Sequence, residues 1–173
     1  MNEHTRDIED ELRTWLKDAS SVVVAGVGNA IRSDDYIGVR IVIDLQGVVS
    51  EAVRLIECET VPESFVDEIV EIRPSHVLLI DAAILGLKPG TAHLYDAEEV
   101  MNVTTISTHT LPLRVFCEYV RKLTGARIAL LLIEPKNVDF GEGLTPEIEA
   151  TAARVESTLR VTLPTSMQFK RFI

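Results

Sequence analysis

Cysteine is scarce in this chain: only Cys58 and Cys117 occur, each in an apolar context and with no CxxC pair. That excludes a disulfide-stapled scaffold and a thiolate zinc site, and points to buried free thiols in a reducing compartment. Long apolar runs are missing too. A membrane-spanning helix needs roughly 20 apolar residues in succession, and the longest run here, Ile128 to Ile133, suits only a buried strand. The N-terminus, MNEHTRDIEDELRTWLKD, is charged and amphipathic and lacks the apolar core of a signal peptide. A cytoplasmic protein is the resulting expectation. Basic residues are in deficit, 17 Lys+Arg against 27 Asp+Glu, for a net charge of −10. Such a surface repels polyanions, which argues against nucleic-acid or anionic-membrane partners. Internal repeats, low-complexity stretches and linkers are absent as well.

What is present is an ordinary globular composition, 46% apolar and 25% charged, over 173 residues. That length fits one domain, residues 1–173, with a core large enough to need no structural metal. The spacing of Ile8, Leu12, Trp15 and Leu16 predicts a helix over 5–18 within an extra N-terminal segment, 1–20. SVVVAGV, Ser21–Val27, reads as a strand covered on both faces. A turn, GNAIRSDD, leads into an apolar helix from Ile37 that ends near Gly47. The alternation repeats with a strand Val53–Cys58, a helix Glu63–Ile72 stopped at Arg73-Pro74, and a strand His76–Ile80 running into Asp81. After a turn at Lys88-Pro89-Gly90 come a short strand Thr91–Tyr95, a helix Leu111–Leu123 and a core strand Arg127–Ile133. Thr145-Pro146-Glu147 opens the last helix, with Thr145 as N-cap. The tail, 163–173, is left unassigned. This pattern predicts a three-layer α/β fold, a twisted and mostly parallel sheet with helices on both faces.

In such sheets ligands sit beyond the carboxyl ends of the strands, at a topological switch point. Asp81 ends the strand HVLLI, and Asp34 and Asp35 follow the first strand on the loop into its helix. One of that pair is expected to cap backbone N–H groups, leaving the other to point outward. His109 stands in STHTLPL just before a helix. Two strand-end carboxylates and an imidazole can form a three-donor site with open positions, the mark of a working metal centre. His4, His76 and His93 read as structural. GVGNAI begins like a dinucleotide-binding turn, but Ile31 replaces the third glycine and two acids follow, which would repel a pyrophosphate. Gly26 and Gly28 are better explained by close backbone approach beside a site.

Across roughly residues 21–160, five ordered segments carry a resemblance: VVAGVGNAIRSDDYIGVRI, TVPESF, RPSHVLLIDAAILGLKPG, STHTLPL and GLTPEIE. The chain resembles the hydrogenase maturation endopeptidases, and within them the branch serving energy-conserving or coenzyme-linked hydrogenases. The resemblance implies a nickel-dependent endopeptidase that clips a C-terminal extension from the hydrogenase large-subunit precursor after nickel insertion. It maps the catalytic and metal contacts to Asp35, Asp81 and His109, with nickel supplied largely by the precursor. A departure is the turn after the second strand, where many members carry an Asp-Gly-Gly-like sequence and this chain has Cys58, Glu59 and Thr60. A second reading uses the same three residues in a nickel-binding or nickel-checking module without hydrolysis. A third is a peptidase of related fold for which nickel is irrelevant.

Overall fold

The computed structural model of the protein describes residues 7–102 and 110–165. In chain order these form α1 (Ile8–Trp15), β1 (Val22–Val27), a 3₁₀ turn (Ser33–Tyr36), α2 (Ile37–Asp44) and β2 (Val53–Glu59). A second 3₁₀ turn (Pro62–Phe65), α3 (Val66–Ile72), β3 (His76–Ala82), β4 (Ala92–Asp96) and α4 (Ala97–Asn102) follow. The remaining elements are α5 (Thr110–Thr124), β5 (Arg127–Ile133) and α6 (Pro146–Thr162). The one helix among them that the sequence reading did not place is α4, a short segment wedged directly after β4.

The five strands make one sheet in the order β2-β1-β3-β5-β4. The first four run parallel, and β4 pairs antiparallel with β5 at the edge. Three central strands are apolar and buried along most of their length, because helices cover both faces. Successive side chains on β3 point to opposite faces. Leu78 and Ile80 pack with Leu12 and Trp15 of α1, Ile41 of α2 and Val155 and Leu159 of α6. Val77 and Leu79 pack on the other side with Ile69 of α3 and Phe116 and Val120 of α5. The fold is the three-layer α/β arrangement predicted.

α1 belongs to the first of these layers and covers the sheet rather than projecting from it. Asp7 caps it, accepting the Glu9 backbone N–H at 3.2 Å. At its other end the Trp15 ring and the ring of the buried His76 meet at nearly a right angle, 4.9 Å between centroids. Burial, and then the nearby Arg127, hold the His76 imidazole below its usual pKa.

The chain leaves β1 in one direction to form β2 and then steps back across β1 to form β3. The switch point therefore lies between the carboxyl ends of β1 and β3. Glycines let α2 settle there. A Cβ on Gly38 would stand 2.1 Å from the Ile80 carbonyl oxygen and 2.3 Å from that of Val27. A Cβ on Gly26 would stand 2.2 Å from the Gly38 carbonyl oxygen. No side chain fits at either position, so the first turn of α2 lies directly on the ends of both strands.

Candidate active site at the switch point

The 3₁₀ turn ahead of α2 carries the adjacent acids Asp34 and Asp35, and the two have opposite fates. Asp34 is fully buried. Its Oδ2 accepts from the backbone N–H groups of Lys136 (3.0 Å) and Asn137 (2.8 Å) and from the Thr145 hydroxyl (3.0 Å). Its Oδ1 accepts from the Thr145 N–H at 2.7 Å. Asp34 thus ties the segment between β5 and α6 to the loop after β1. The expected capping by one acid of the pair takes an unexpected form, since Asp34 serves a distant segment and not the helix it precedes. Thr145 differs from expectation as well: at the entry to α6 its side chain makes no capping bond, because its hydroxyl donates to Asp34.

Asp35 is only partly buried. Its Oδ2 accepts the Asn29 N–H at 3.1 Å, and among the described residues Oδ1 has no hydrogen-bonding partner. Gly28 makes room for this turn: a Cβ there would lie 2.2 Å from the Asp35 carbonyl oxygen. Across the crevice, Asp81 follows Ile80 at the end of β3, beside Leu132 of β5. Burial pushes the Asp81 carboxyl up to about 7, and the negative charge of Asp35 pushes it the same way; the Ala82 backbone N–H offsets part of this. The two acids therefore feel each other. Burial and the charge of Asp35 both favour the neutral form of Asp81, whereas a bound cation would favour the charged form.

His109 lies outside the described residues. Among the described residues no group of three or more His, Cys, Asp and Glu side chains is placed to hold a metal ion. The histidines read as structural behave differently from one another. His76 is buried at the start of β3, far along the strand from Asp81, and His93 is exposed on β4 with its ring nearly perpendicular to that of Tyr95. His4 also lies outside the described residues. Cys58 and Cys117 are buried free thiols as expected, both pushed up to about 12, first by burial.

Sequence reasoning missed three features of the surroundings. Glu134, buried directly after β5, accepts the N–H groups of Leu85 (2.6 Å) and Leu87 (3.2 Å), clamping the loop that leaves Asp81. The signal was there, for Glu134 follows RIALLLI just as Asp81 follows HVLLI. Ser33 and Glu59 adopt left-handed backbone conformations, φ 48° and 49°. A side chain there costs roughly 1–2 kcal/mol; Ser33 opens the 3₁₀ turn that carries the acid pair, and Glu59 ends β2. Glu59 also carries a break in register, where β2 gains a residue against Gly26–Val27 of β1, and its carbonyl accepts the Gly28 N–H at 2.7 Å. The turn with the departing sequence keeps a backbone that glycine would favour.

An α/β sheet with an acid pair in its switch-point crevice defines a class of site built for a ligand at the strand ends. Comparison with known proteins narrows it. The family model described as hydrogenase maturation protease matches residues 39–160. A protein of Methanocaldococcus jannaschii named as a hydrogenase maturation protease is 33% identical over 160 residues, covering 88% of this chain and 94% of its own. The hydrogenase 3 maturation protease of Escherichia coli K12 is 26% identical over 137 residues, covering 79% of this chain and 87% of its own. The crystal structure of the nickel–iron hydrogenase maturation protease HycI from Thermococcus kodakarensis superposes with a TM-score of 0.83 at 28% identity. It covers 88% of this chain and 98% of that one. The chain belongs to the hydrogenase maturation protease family, and it is a protease. No helix among the described residues is long and apolar enough to cross a membrane.

Proposed function

We propose that this protease removes the C-terminal extension of a nickel–iron hydrogenase large-subunit precursor once nickel is in place, and that Asp35, Asp81 and His109 meet that nickel. The observation that carries the reading is that Asp35, on the turn into α2, and Asp81, at the end of β3, both stand at the switch point, in a member of this family. Carboxylate and imidazole donors suit divalent first-row metals. In this reading the nickel arrives as part of the substrate, held mainly by the precursor.

When bound, nickel supplies Lewis-acid polarisation of the carbonyl to be cleaved. The chain's own residues do the rest. Asp35, steadied by the Asn29 N–H, directs its other oxygen to the ligand. Asp81, at the end of β3 beside Leu132, supplies the second carboxylate, and a bound cation would favour its charged form against the burial that favours the neutral one. Loops held by Asp34 and Glu134 keep the crevice in shape while the extended peptide lies in it.

The test is incubation with a cognate precursor, nickel-loaded and nickel-free, followed by intact mass. Loss of a C-terminal peptide from the loaded form alone is expected, and Ala at Asp35, Asp81 or His109 abolishes it. No mass change in either form leaves a nickel-binding module without hydrolysis. Cleavage of the nickel-free form makes the metal irrelevant, and full cleavage by all three variants removes the site assignment.

A further inference from the structure

Phe140 and Ile84 are the two most exposed large apolar side chains among the described residues, 85% and 75% accessible. They stand on the loops that leave β5 and β3, and Ile31, 50% accessible, stands on the loop that leaves β1. These three strands are parallel neighbours, so all three loops emerge at the one end of the sheet that holds Asp35 and Asp81.

Exposed apolar side chains on loose loops would mean little, but these loops are tied down. The Gly141 N–H donates to the Ile31 carbonyl at 3.1 Å, and the Ser33 N–H donates to the Gly141 carbonyl at 2.9 Å. The Arg32 guanidinium and the Ser33 hydroxyl donate to the carbonyls of Val138 and Asp139, each at 3.1 Å. Asp34 holds Lys136 and Asn137, and Glu134 holds Leu85 and Leu87 on either side of Gly86. Two buried carboxylates thus fix the loops that display Phe140 and Ile84. Holding apolar groups in water on a rigid support is unfavourable for an isolated protein, and it lowers the entropy lost when a partner covers them.

We infer that Phe140 and Ile84, with Ile31 beside them, form a preorganised apolar rim that docks the folded body of the large-subunit precursor around the cleavage site. This inference rests on the function proposed above. A second copy of this chain seated on the rim would cover Asp35 and Asp81 and close the crevice to substrate. An anionic membrane is repelled by the net charge of −10. The precursor is the partner whose scissile segment must reach these acids, so its docking face is continuous with the site. The rim then sets affinity, and the acid pair sets chemistry.

The experiment compares the wild-type protein, the F140S/I84S variant and a control, V161S, which replaces an exposed apolar residue on α6 away from the rim. Each is titrated against immobilised nickel-loaded precursor and assayed for cleavage over a range of precursor concentrations, after thermal melting confirms an unchanged fold. The rim variant is expected to bind roughly tenfold or more weakly, with KM rising more than kcat falls, while V161S matches wild type. Affinity of the rim variant within about twofold of wild type overturns the proposal, as does equal weakening by V161S. A rim variant that loses only self-association of the wild-type protein, with precursor binding intact, assigns the rim to a second copy and overturns it too. Wild-type protein that neither binds nor cleaves the loaded precursor removes the proposed function itself, a failure distinct from the other three.

Discussion

Asp34 and Asp35 are neighbours in sequence with identical side chains, and their environments separate them completely. Asp34 spends all its acceptor capacity on four donors and becomes part of the frame. Asp35 keeps one oxygen without a partner among the described residues, and its charge acts on Asp81. Asp81 carries the consequence. An unfolded aspartate titrates near pH 3.9, whereas in the fold this carboxyl is pushed up to about 7. Between those values the folded protein holds a proton that the unfolded chain has released. Stability contributed by the neutral carboxyl is therefore full below about pH 4 and is lost as pH rises to about 7. Asp81→Asn keeps the shape and removes the charge. It should stabilise the protein by on the order of a few kcal/mol at pH 8, with the gain vanishing near pH 4, while cleavage is lost. Urea unfolding at the two pH values reads this directly; an equal urea midpoint for variant and parent at pH 8 would show that the carboxylate is already compensated.

At the scale of elements, the contact of α2 with β1 and β3 sets how near the turn that carries Asp35 comes to the end of β3, where Asp81 stands. Helix propensity alone favours alanine over glycine by about 1 kcal/mol. At Gly38 the added Cβ would instead press on two backbone carbonyls that cannot rotate away. Overpacking of this kind costs about 1–3 kcal/mol and sometimes more, so the clash outweighs propensity. Gly38→Ala should lower the urea midpoint and, by lifting the turn that carries Asp35, reduce cleavage beyond the loss of folded protein. A variant at least as stable as the parent would mean that α2 can slide, and that the close approach is not what positions Asp35. The same logic explains why this turn tolerates Ser33 at positive φ: the bonds to Asp139 and Gly141 hold it there.

Across the whole molecule, the sheet separates stability from chemistry. The loops at the carboxyl ends carry the proposed site, whereas α1 packs on one face through Ile8, Leu12, Trp15 and Leu16. Leu12 is fully buried, and truncating such a leucine to alanine costs about 2–5 kcal/mol, with the exact loss set by how far the cavity collapses. Leu12→Ala should lower the melting temperature sharply yet leave kcat and KM unchanged at temperatures where the protein remains folded. A large change in KM at full folding would show that α1 communicates with the crevice.

Much of this was legible in the sequence for local reasons. Continuous apolar runs of strand length mark strands buried on both faces, and Val22–Val27, His76–Ala82 and Arg127–Ile133 formed where such runs lie. Asp81 was visible because a carboxylate directly after a buried strand must emerge at its end. The helix over 5–18 is shorter in the structure, Ile8–Trp15, with its apolar positions facing the core as their spacing requires. Sequence could narrow the acids after β1 to a pair, and the family resemblance chose Asp35, but position alone could not say which one is spent. Only the tertiary structure decided that, because the donors that occupy Asp34 come from residues 136–145, more than a hundred positions along the chain. The antiparallel docking of β4, the clamp made by Glu134 and the shared rim of Ile31, Ile84 and Phe140 have the same origin. Each depends on which strands become neighbours, and strand order is set by long-range packing that no local pattern encodes.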